Sequence, residues 1–152
     1  MNHLQVFEGS SLSDAGLAHL SGLTSLSTLG IGGPEFSDDW LVHLKGLTSL
    51  SQLELEYTQL TDRGLVHLNG LPNLSILNLF RTQVTDAGLL HLSELTSLSS
   101  LYLGDTHVTD RGLVHLKGLA NLGILDLSGT QVTDAGMKEL KQALPTLSVT
   151  VR

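Results

Sequence analysis

A strict repeat of 24 residues dominates the chain and limits the folds that it can adopt. Its clearest marker is a Ser or Thr followed by Asp, which occurs six times, as Ser13-Asp14, Ser37-Asp38, Thr61-Asp62, Thr85-Asp86, Thr109-Asp110 and Thr133-Asp134. A fixed period of this length is typical of solenoids, in which each unit buries its apolar side chains only against its neighbours. We therefore predict a stack of similar units that acts by presenting a surface.

The unit from Leu47 to Gly70 indicates what each repeat forms. Leu53 and Leu55 alternate with polar residues, which is the period of a β-strand. The Thr61-Asp62 pair has the composition of a helix N-terminus, and two leucines follow it at helical spacing. Stacked units place their strands in one parallel sheet, about 4.8 Å apart. Because a helix is wider than a strand, we expect the sheet on the concave side and the helices on the convex side.

The pattern LxxLxLxxTxVTDxGLxHLxG, which covers roughly residues 4–152, resembles the leucine-rich-repeat family. It is similar to the ribonuclease-inhibitor-like or cysteine-containing subclass, except that Thr stands where those repeats carry Asn or Cys. The residues concerned are Thr58, Thr82, Thr106 and Thr130, whose hydroxyl groups can form a ladder of bonds to the backbone. The resemblance implies an α/β, right-handed, horseshoe-shaped solenoid that binds through its concave face and performs no chemistry.

The repeat accounts for the whole sequence, so we expect one leucine-rich-repeat domain over residues 1–152, with about six repeats and partial repeats at the ends. Residues 4–7 predict a first strand that is one residue out of phase with the others. Leu147, Val149 and Val151 alternate as a last strand. We expect no dedicated capping module, and an open sheet edge can pair with another chain. A weak dimer through an edge is therefore one expectation.

Composition argues against several classes of function. The net charge of −7 lacks the basic footprint of a nucleic-acid-binding protein, and the absence of cysteine leaves no disulfide or thiolate metal site. No signal peptide or membrane-spanning run is recognised, which favours a cytoplasmic chain and no membrane partner. No nucleophile–base set or phosphate-binding loop can be assembled, so we expect neither catalysis nor a cofactor.

Three rows recur on the predicted helix side. The His row is His19, His43, His67, His91 and His115, and the Gly row is Gly16, Gly64, Gly88, Gly112 and Gly136. The histidines could bind a metal or sense pH, but their expected spacing is long for shared coordination, which favours a structural role. The Asp of each Ser/Thr-Asp pair could bind Ca²⁺, but one carboxylate per repeat supplies too few oxygens, so we predict helix capping. The glycines should let neighbouring helices approach closely.

The second repeat is irregular. Its stretch from Gly30 to Phe36 includes three glycines and Pro34, and Trp40 stands in the Gly row. One hypothesis is a local bulge that exposes Trp40 as a contact anchor. The favoured alternative is a drifted repeat in which Trp40 covers a gap near the N-terminal end.

The strand positions that point away from the core vary while the scaffold stays constant. The candidate binding residues are Gln52, Glu54, Glu56, Tyr57, Asn78, Phe80, Arg81, Tyr102, Asp105 and Asp126. The aromatic residues and the arginine have the composition of an interface hot spot, and the acidic ones favour a basic partner. We predict a protein-protein interaction module that binds a protein or peptide through this face. The alternatives are chance variation at free positions, or a structural or self-associating segment of a larger multi-domain protein.

Overall fold

A parallel β-sheet with one strand per repeat runs through the computed structural model, which describes residues 2–6, 16 and 18–151. The strands are His3–Val6 (β1), Thr28–Ile31 (β2), Gln52–Glu54 (β3), Ile76–Asn78 (β4), Ser100–Tyr102 (β5), Ile124–Asp126 (β6) and Ser148–Thr150 (β7). They lie side by side in sequence order, and every neighbouring pair is parallel. The repeat of the sequence is therefore the repeat of the fold.

The register of the sheet follows the 24-residue period. Leu53 lies beside Leu77, and Leu77 beside Leu101, so equivalent residues form columns across the sheet. At the N-terminal edge Leu4 pairs with Leu29, which confirms that the first strand is one residue out of phase. Phe7, the predicted end of that strand, lies outside the described residues.

Short helices return the chain from one strand to the next. The α-helices are Asp62–Leu65 (α1), Asp86–Leu92 (α2) and Asp134–Ala143 (α3), and the 3₁₀ helices are His19–Gly22, Asp38–Leu44, Val66–Gly70 and Gly112–Leu116. A 3₁₀ helix rises about 2.0 Å per residue, so it crosses the width of a repeat in fewer residues than an α-helix. None of the helices in the described part of the chain is long and apolar enough to span a membrane.

The core is a continuous stack of leucines between the sheet and the helices. Leu53 and Leu77 from the strands, and Leu65 and Leu89 from the helix side, are completely buried. Full burial of such a side chain contributes about 1.5–3 kcal/mol, and each leucine packs mainly against the equivalent residues of adjacent repeats. The fold is therefore an α/β solenoid, as the sequence predicts.

Two ladders of hydroxyl groups satisfy backbone carbonyls inside the stack. Thr58 donates to the carbonyl of Leu55 at 2.8 Å, and Thr82, Thr106 and Thr130 make the same bond in their own repeats, which confirms the predicted threonine ladder. A second ladder was not predicted: the hydroxyl of Ser75 donates at 3.0 Å to the carbonyl of Ser51, one repeat earlier. Among the described residues no buried side-chain polar atom lacks a partner.

The Ser/Thr-Asp pairs link consecutive repeats. The Asp38 carboxylate accepts from the backbone N–H of Thr61 at 2.8 Å and from its hydroxyl at 2.6 Å. Thr61 in turn caps α1, since its hydroxyl oxygen accepts from Arg63 N–H. The capping role predicted for the Asp row is therefore wrong: Thr caps the helix, and Asp holds the Thr of the next repeat. The first pair, Ser13-Asp14, lies outside the described residues.

The Gly row makes room for these carboxylates. A Cβ atom at Gly64 would lie 2.6 Å from Oδ1 of Asp38, and one at Gly88 would overlap Oδ1 of Asp62. The same relationship holds for Gly112 and Gly136 with the Asp of the preceding repeat. The prediction of close approach is confirmed, and the group that approaches is a carboxylate.

Trp40 replaces glycine in this row and packs inward. Its ring meets that of Phe36 edge to face, with centroids 4.4 Å apart and an interplanar angle of 82°. Phe36 is buried, and the half-buried Trp40 packs against the core. The structure thus favours the drifted repeat whose Trp40 covers a gap, and contradicts an exposed contact anchor.

Candidate binding face

The side chains that alternate with the core leucines lie on the outer side of the sheet, which we call the strand face. All ten predicted binding residues lie on it or directly after its strands. Tyr57, Arg81 and Asp105 are exposed, whereas Gln52, Glu54, Glu56, Asn78, Phe80, Tyr102 and Asp126 are half-buried. The predicted set therefore forms a continuous surface across β3 to β6.

Two aromatic rings and a guanidinium group form a compact cluster at the carboxyl ends of β3 and β4. The rings of Tyr57 and Phe80 meet edge to face, with centroids 5.6 Å apart. Cζ of Arg81 lies 5.5 Å from each ring centroid, within the range of a cation–π contact. Tyr57 remains 49% exposed. We call Tyr57, Phe80 and Arg81 the aromatic–arginine cluster.

The next strand supports Phe80. Gly104 lies under its ring, since a Cβ atom there would come within 2.8 Å of Phe80 Cδ2. This explains how a large apolar side chain is held on the strand face. Tyr102, predicted as a fourth member of the cluster, lies beside Asn78 and Asp126 in the sheet. Among the described residues its ring makes no contact with those of Tyr57 or Phe80.

An ion pair extends the cluster toward the C-terminal repeats. Nε of Arg81 donates to Oδ2 of Asp105 at 2.9 Å. This hydrogen bond, together with the negative charge of Asp105, raises the pKa of the Arg81 guanidinium above its ordinary value. Both side chains are exposed, so the pair contributes little to stability, but it fixes where the guanidinium plane lies.

The residues that follow the strands adopt left-handed backbone conformations. The φ angles are 59° at Tyr57, 54° at Arg81, 53° at Asp105 and 68° at Gly129, one in each of four successive repeats. Backbone hydrogen bonds hold this row, since the N–H groups of the first three donate to carbonyls of the following repeat. Glycine adopts this conformation most easily, and a bulky residue here is a genuine outlier. Such outliers cluster at functional sites.

Several polar residues of the face also have structural partners. Oδ1 of Asn78 accepts from Phe80 N–H at 3.0 Å, and Oδ1 of Asp126 makes the same bond to Ser128 N–H. Asn78 also donates to Glu56 at 3.1 Å. Asn78 and Asp126 therefore help to shape the chain at the end of their strands as well as present a polar group.

A cleft of about 630 Å³ opens in the strand face over β1 to β3. Its lining includes His3, Gln5, Thr28, Gly30, Ile31, Gly32, Gly33, Pro34, Gln52, Glu54, Glu56 and Tyr57. The floor is low because Gly30 and Gly32 carry no side chain at strand-face positions. The sequence analysis recognised this stretch as irregular, either a bulge or, as favoured, a drifted repeat, but it did not predict the cleft. The cleft could have been predicted from the sequence, because Gly30 and Gly32 stand where the next repeat carries the larger residues Glu54 and Glu56.

The His row lies on the helix side, away from this face. His43, His67, His91 and His115 are half-buried and His19 is exposed. Within the described ranges no group of three or more His, Cys, Asp or Glu residues is arranged to hold a metal ion.

Part of the chain matches a known family, and its fold matches solved structures. Residues 70–93, 94–116 and 118–141 match the family model described as Leucine Rich repeat. The internalin inlF from Listeria monocytogenes superimposes with a TM-score of 0.73 at 27% identity, over 87% of this chain and 36% of that one. Internalin C2 from the same organism gives 0.61 at 23% identity, over 99% of this chain and 80% of that one. No protein with a curated description matched.

The chain thus spans about a third of the length of the inlF structure. Such repeats support a role as a protein-interaction module in general, and their family is generally non-enzymatic. The family match over residues 70–141 and the sheet with one strand per repeat agree: the chain has the α/β fold of a leucine-rich-repeat solenoid.

Proposed function

We propose that the chain is a protein-interaction module that binds a protein or peptide partner through its strand face. The observation that carries this proposal is the row of left-handed residues at the aromatic–arginine cluster. Tyr57 and Arg81 occupy backbone positions where glycine is favoured, and the equivalent residue two repeats after Arg81 is indeed Gly129. A large side chain in a left-handed conformation costs free energy, and contact with a partner is a function that accounts for this cost.

The chemistry of the cluster suits an interface. Tyr and Arg are enriched at binding hot spots, and rings already held in contact lose little freedom when a partner binds. The strand face also carries Glu54, Glu56 and Asp126, besides Asp105, which is paired with Arg81, and this negative charge favours a partner of basic character. Neither a nucleic acid nor a membrane surface, both of which are negatively charged, matches this face.

Binding and footprinting test the proposal. Peptides would be selected from a displayed random library against the full chain, and amide hydrogen exchange would then be measured with and without a selected binder. We expect slower exchange in residues 52–57, 76–81 and 100–105. Slower exchange confined to the helix side, for instance within Asp86–Leu92, would contradict the strand face as the binding surface.

Self-association is the second candidate, because β1 and β7 each pair on one side only within the described chain. Unpaired edges are templates for another strand, and Ser148 and Thr150 of β7 are exposed. We infer that edge pairing gives a weak dimer or links the chain to further repeats. Sedimentation equilibrium over a wide concentration range tests self-association, and a monomer throughout would contradict the dimer.

A further inference from the structure

The cleft over β1 to β3 combines three features that suit a bound side chain. Its floor is set low by glycines, its rim carries the carboxylates of Glu54 and Glu56, and Tyr57 forms part of its wall. Its volume of about 630 Å³ falls within the usual range of binding pockets, roughly 300–1,000 Å³. The cleft can therefore accommodate a long side chain together with part of the backbone that carries it.

The two carboxylates keep unused acceptor capacity. Oε1 of Glu54 accepts from Gln52 at 2.8 Å, and Oε2 of Glu56 accepts from Asn78 at 3.1 Å. Within the described part of the chain neither carboxylate forms an ion pair, and its second oxygen has no hydrogen-bond partner. A carboxylate has about four acceptor sites, so each can accept further donors.

The charges around the cleft favour a cation. No lysine or arginine of the described chain lines it, whereas Glu54 and Glu56 do. The nearby Arg81 is already paired with Asp105. Tyr57 adds an aromatic ring, which attracts a cation placed over its face.

We propose that this cleft binds the side chain of a lysine or arginine of the partner, with Glu54 and Glu56 accepting its N–H groups and Tyr57 packing along it. The inference rests on the proposed function and narrows it to partners that present a basic residue beside the segment bound by the aromatic–arginine cluster. It also assigns a role to the irregular second repeat, because its glycines create the space.

Selection against matched variants tests this inference. A random linear-peptide library displayed on ribosomes would be enriched separately on the wild-type chain, on the Glu54→Gln/Glu56→Gln variant and on a Glu94→Gln/Glu139→Gln control. Both variants lose the same net charge, but Glu94 and Glu139 lie outside the strand face. Thermal unfolding would establish that all three chains are folded.

We expect wild type and control to enrich lysine or arginine at one fixed position of the selected peptides, and the Glu54→Gln/Glu56→Gln variant to lose that preference. Affinity of the wild-type peptides for that variant should fall on the order of tenfold, as expected for losing charge-assisted hydrogen bonds. Binders without a basic preference, or with one that survives in the double Gln variant, would overturn the inference.

The same peptides separate this inference from the proposed function. If they lack a basic residue but lose affinity for a Phe80→Ala chain, the function holds and the cleft assignment fails. If they need the basic residue and ignore Phe80→Ala, the cleft assignment holds and the assignment of the hot spot to the aromatic–arginine cluster fails. A wild-type selection that yields no binder contradicts both.

Discussion

Asp62 and Thr85 are joined by two hydrogen bonds across the boundary between consecutive repeats. One carboxylate oxygen accepts from the Thr85 N–H at 2.8 Å and the other from its hydroxyl at 2.7 Å. The pairs Asp38–Thr61, Asp86–Thr109 and Asp110–Thr133 repeat the arrangement. Each repeat therefore fixes the start of the next helix, and the loss of one pair should weaken the contact between those two repeats.

Asp62→Ala should lower the free energy of unfolding by about 2–3 kcal/mol, because it removes two hydrogen bonds to a charged acceptor and leaves the N–H and hydroxyl donors of Thr85 without that acceptor. Asp134→Ala is the matched control. In the described chain no further Ser/Thr-Asp pair follows Asp134, and its carboxylate accepts no hydrogen bond from a Thr. The substitution therefore removes only a negative charge from the first turn of α3, which contributes about 0.3–1 kcal/mol. Urea unfolding of both variants would measure the difference, and equal losses would contradict a bridging role.

Acid should weaken the link made by Asp110. Hydrogen bonds from the Thr133 hydroxyl and N–H lower the pKa of this carboxyl below its ordinary value. The stability it contributes is fully present above the unfolded-state pKa of about 3.9 and is lost as pH falls through the lower folded-state pKa. Asp110→Asn should therefore show a smaller loss of unfolding free energy than wild type over this pH range. Parallel losses in urea unfolding at a series of pH values would refute this.

Gly88→Ala should destabilise the fold by about 1–3 kcal/mol, the usual effect of overpacking, because the new methyl group would displace the Asp62 carboxylate or Leu65. Gly70→Ala is the control, since a Cβ atom there meets nothing within 4 Å. Thermal unfolding compares the two. A Gly88→Ala chain as stable as Gly70→Ala would show that the carboxylate has room to move.

Arg81→Gly should be more stable than Arg81→Ala by about 1 kcal/mol, because both remove the side chain but only glycine relieves the left-handed backbone. Both variants should lose affinity for a selected peptide to a similar degree. The two variants would then differ in unfolding free energy but not in peptide affinity. An alanine variant as stable as the glycine variant would show that φ of 54° carries no strain here.

The sequence predicted most of the scaffold because each scaffold position recurs with the same chemistry. The period gave the strand register, and the alternation of Leu53 and Leu55 gave the buried face. The sequence did not reveal that the Asp38 carboxylate accepts hydrogen bonds from Thr61 of the next repeat. An Asp at the start of a helix is equally compatible with capping its own helix, so the pattern does not distinguish the two roles. The 3₁₀ geometry of Asp38–Leu44 was also missed, since leucine spacing of three or four residues fits both helix types.

The binding face could be predicted as a set of positions but not as an arrangement. Alternation places Phe80 and Tyr102 on the same face, yet only the structure pairs Phe80 with Tyr57 and leaves Tyr102 out of the aromatic–arginine cluster. The left-handed angle at Arg81 was not recognised either, because the glycines that would signal it, Gly33 and Gly129, are separated by three repeats that carry Tyr57, Arg81 and Asp105 at this position. The identity of the partner depends on the surface of a second molecule, and neither the alternation nor the period of this sequence describes that surface.

Affinity of one selected peptide for Phe80→Ala and Leu90→Ala tests the strand face most directly. Both substitutions truncate a large apolar side chain, but Leu90 is 53% exposed on α2, on the helix side. Removing a hot-spot ring costs at least about 2 kcal/mol, which is roughly a thirtyfold rise in Kd. We predict that rise for Phe80→Ala and an unchanged Kd for Leu90→Ala, measured by isothermal calorimetry on folded chains. An unchanged Kd for Phe80→Ala, with weaker binding by Leu90→Ala, would contradict binding through the strand face.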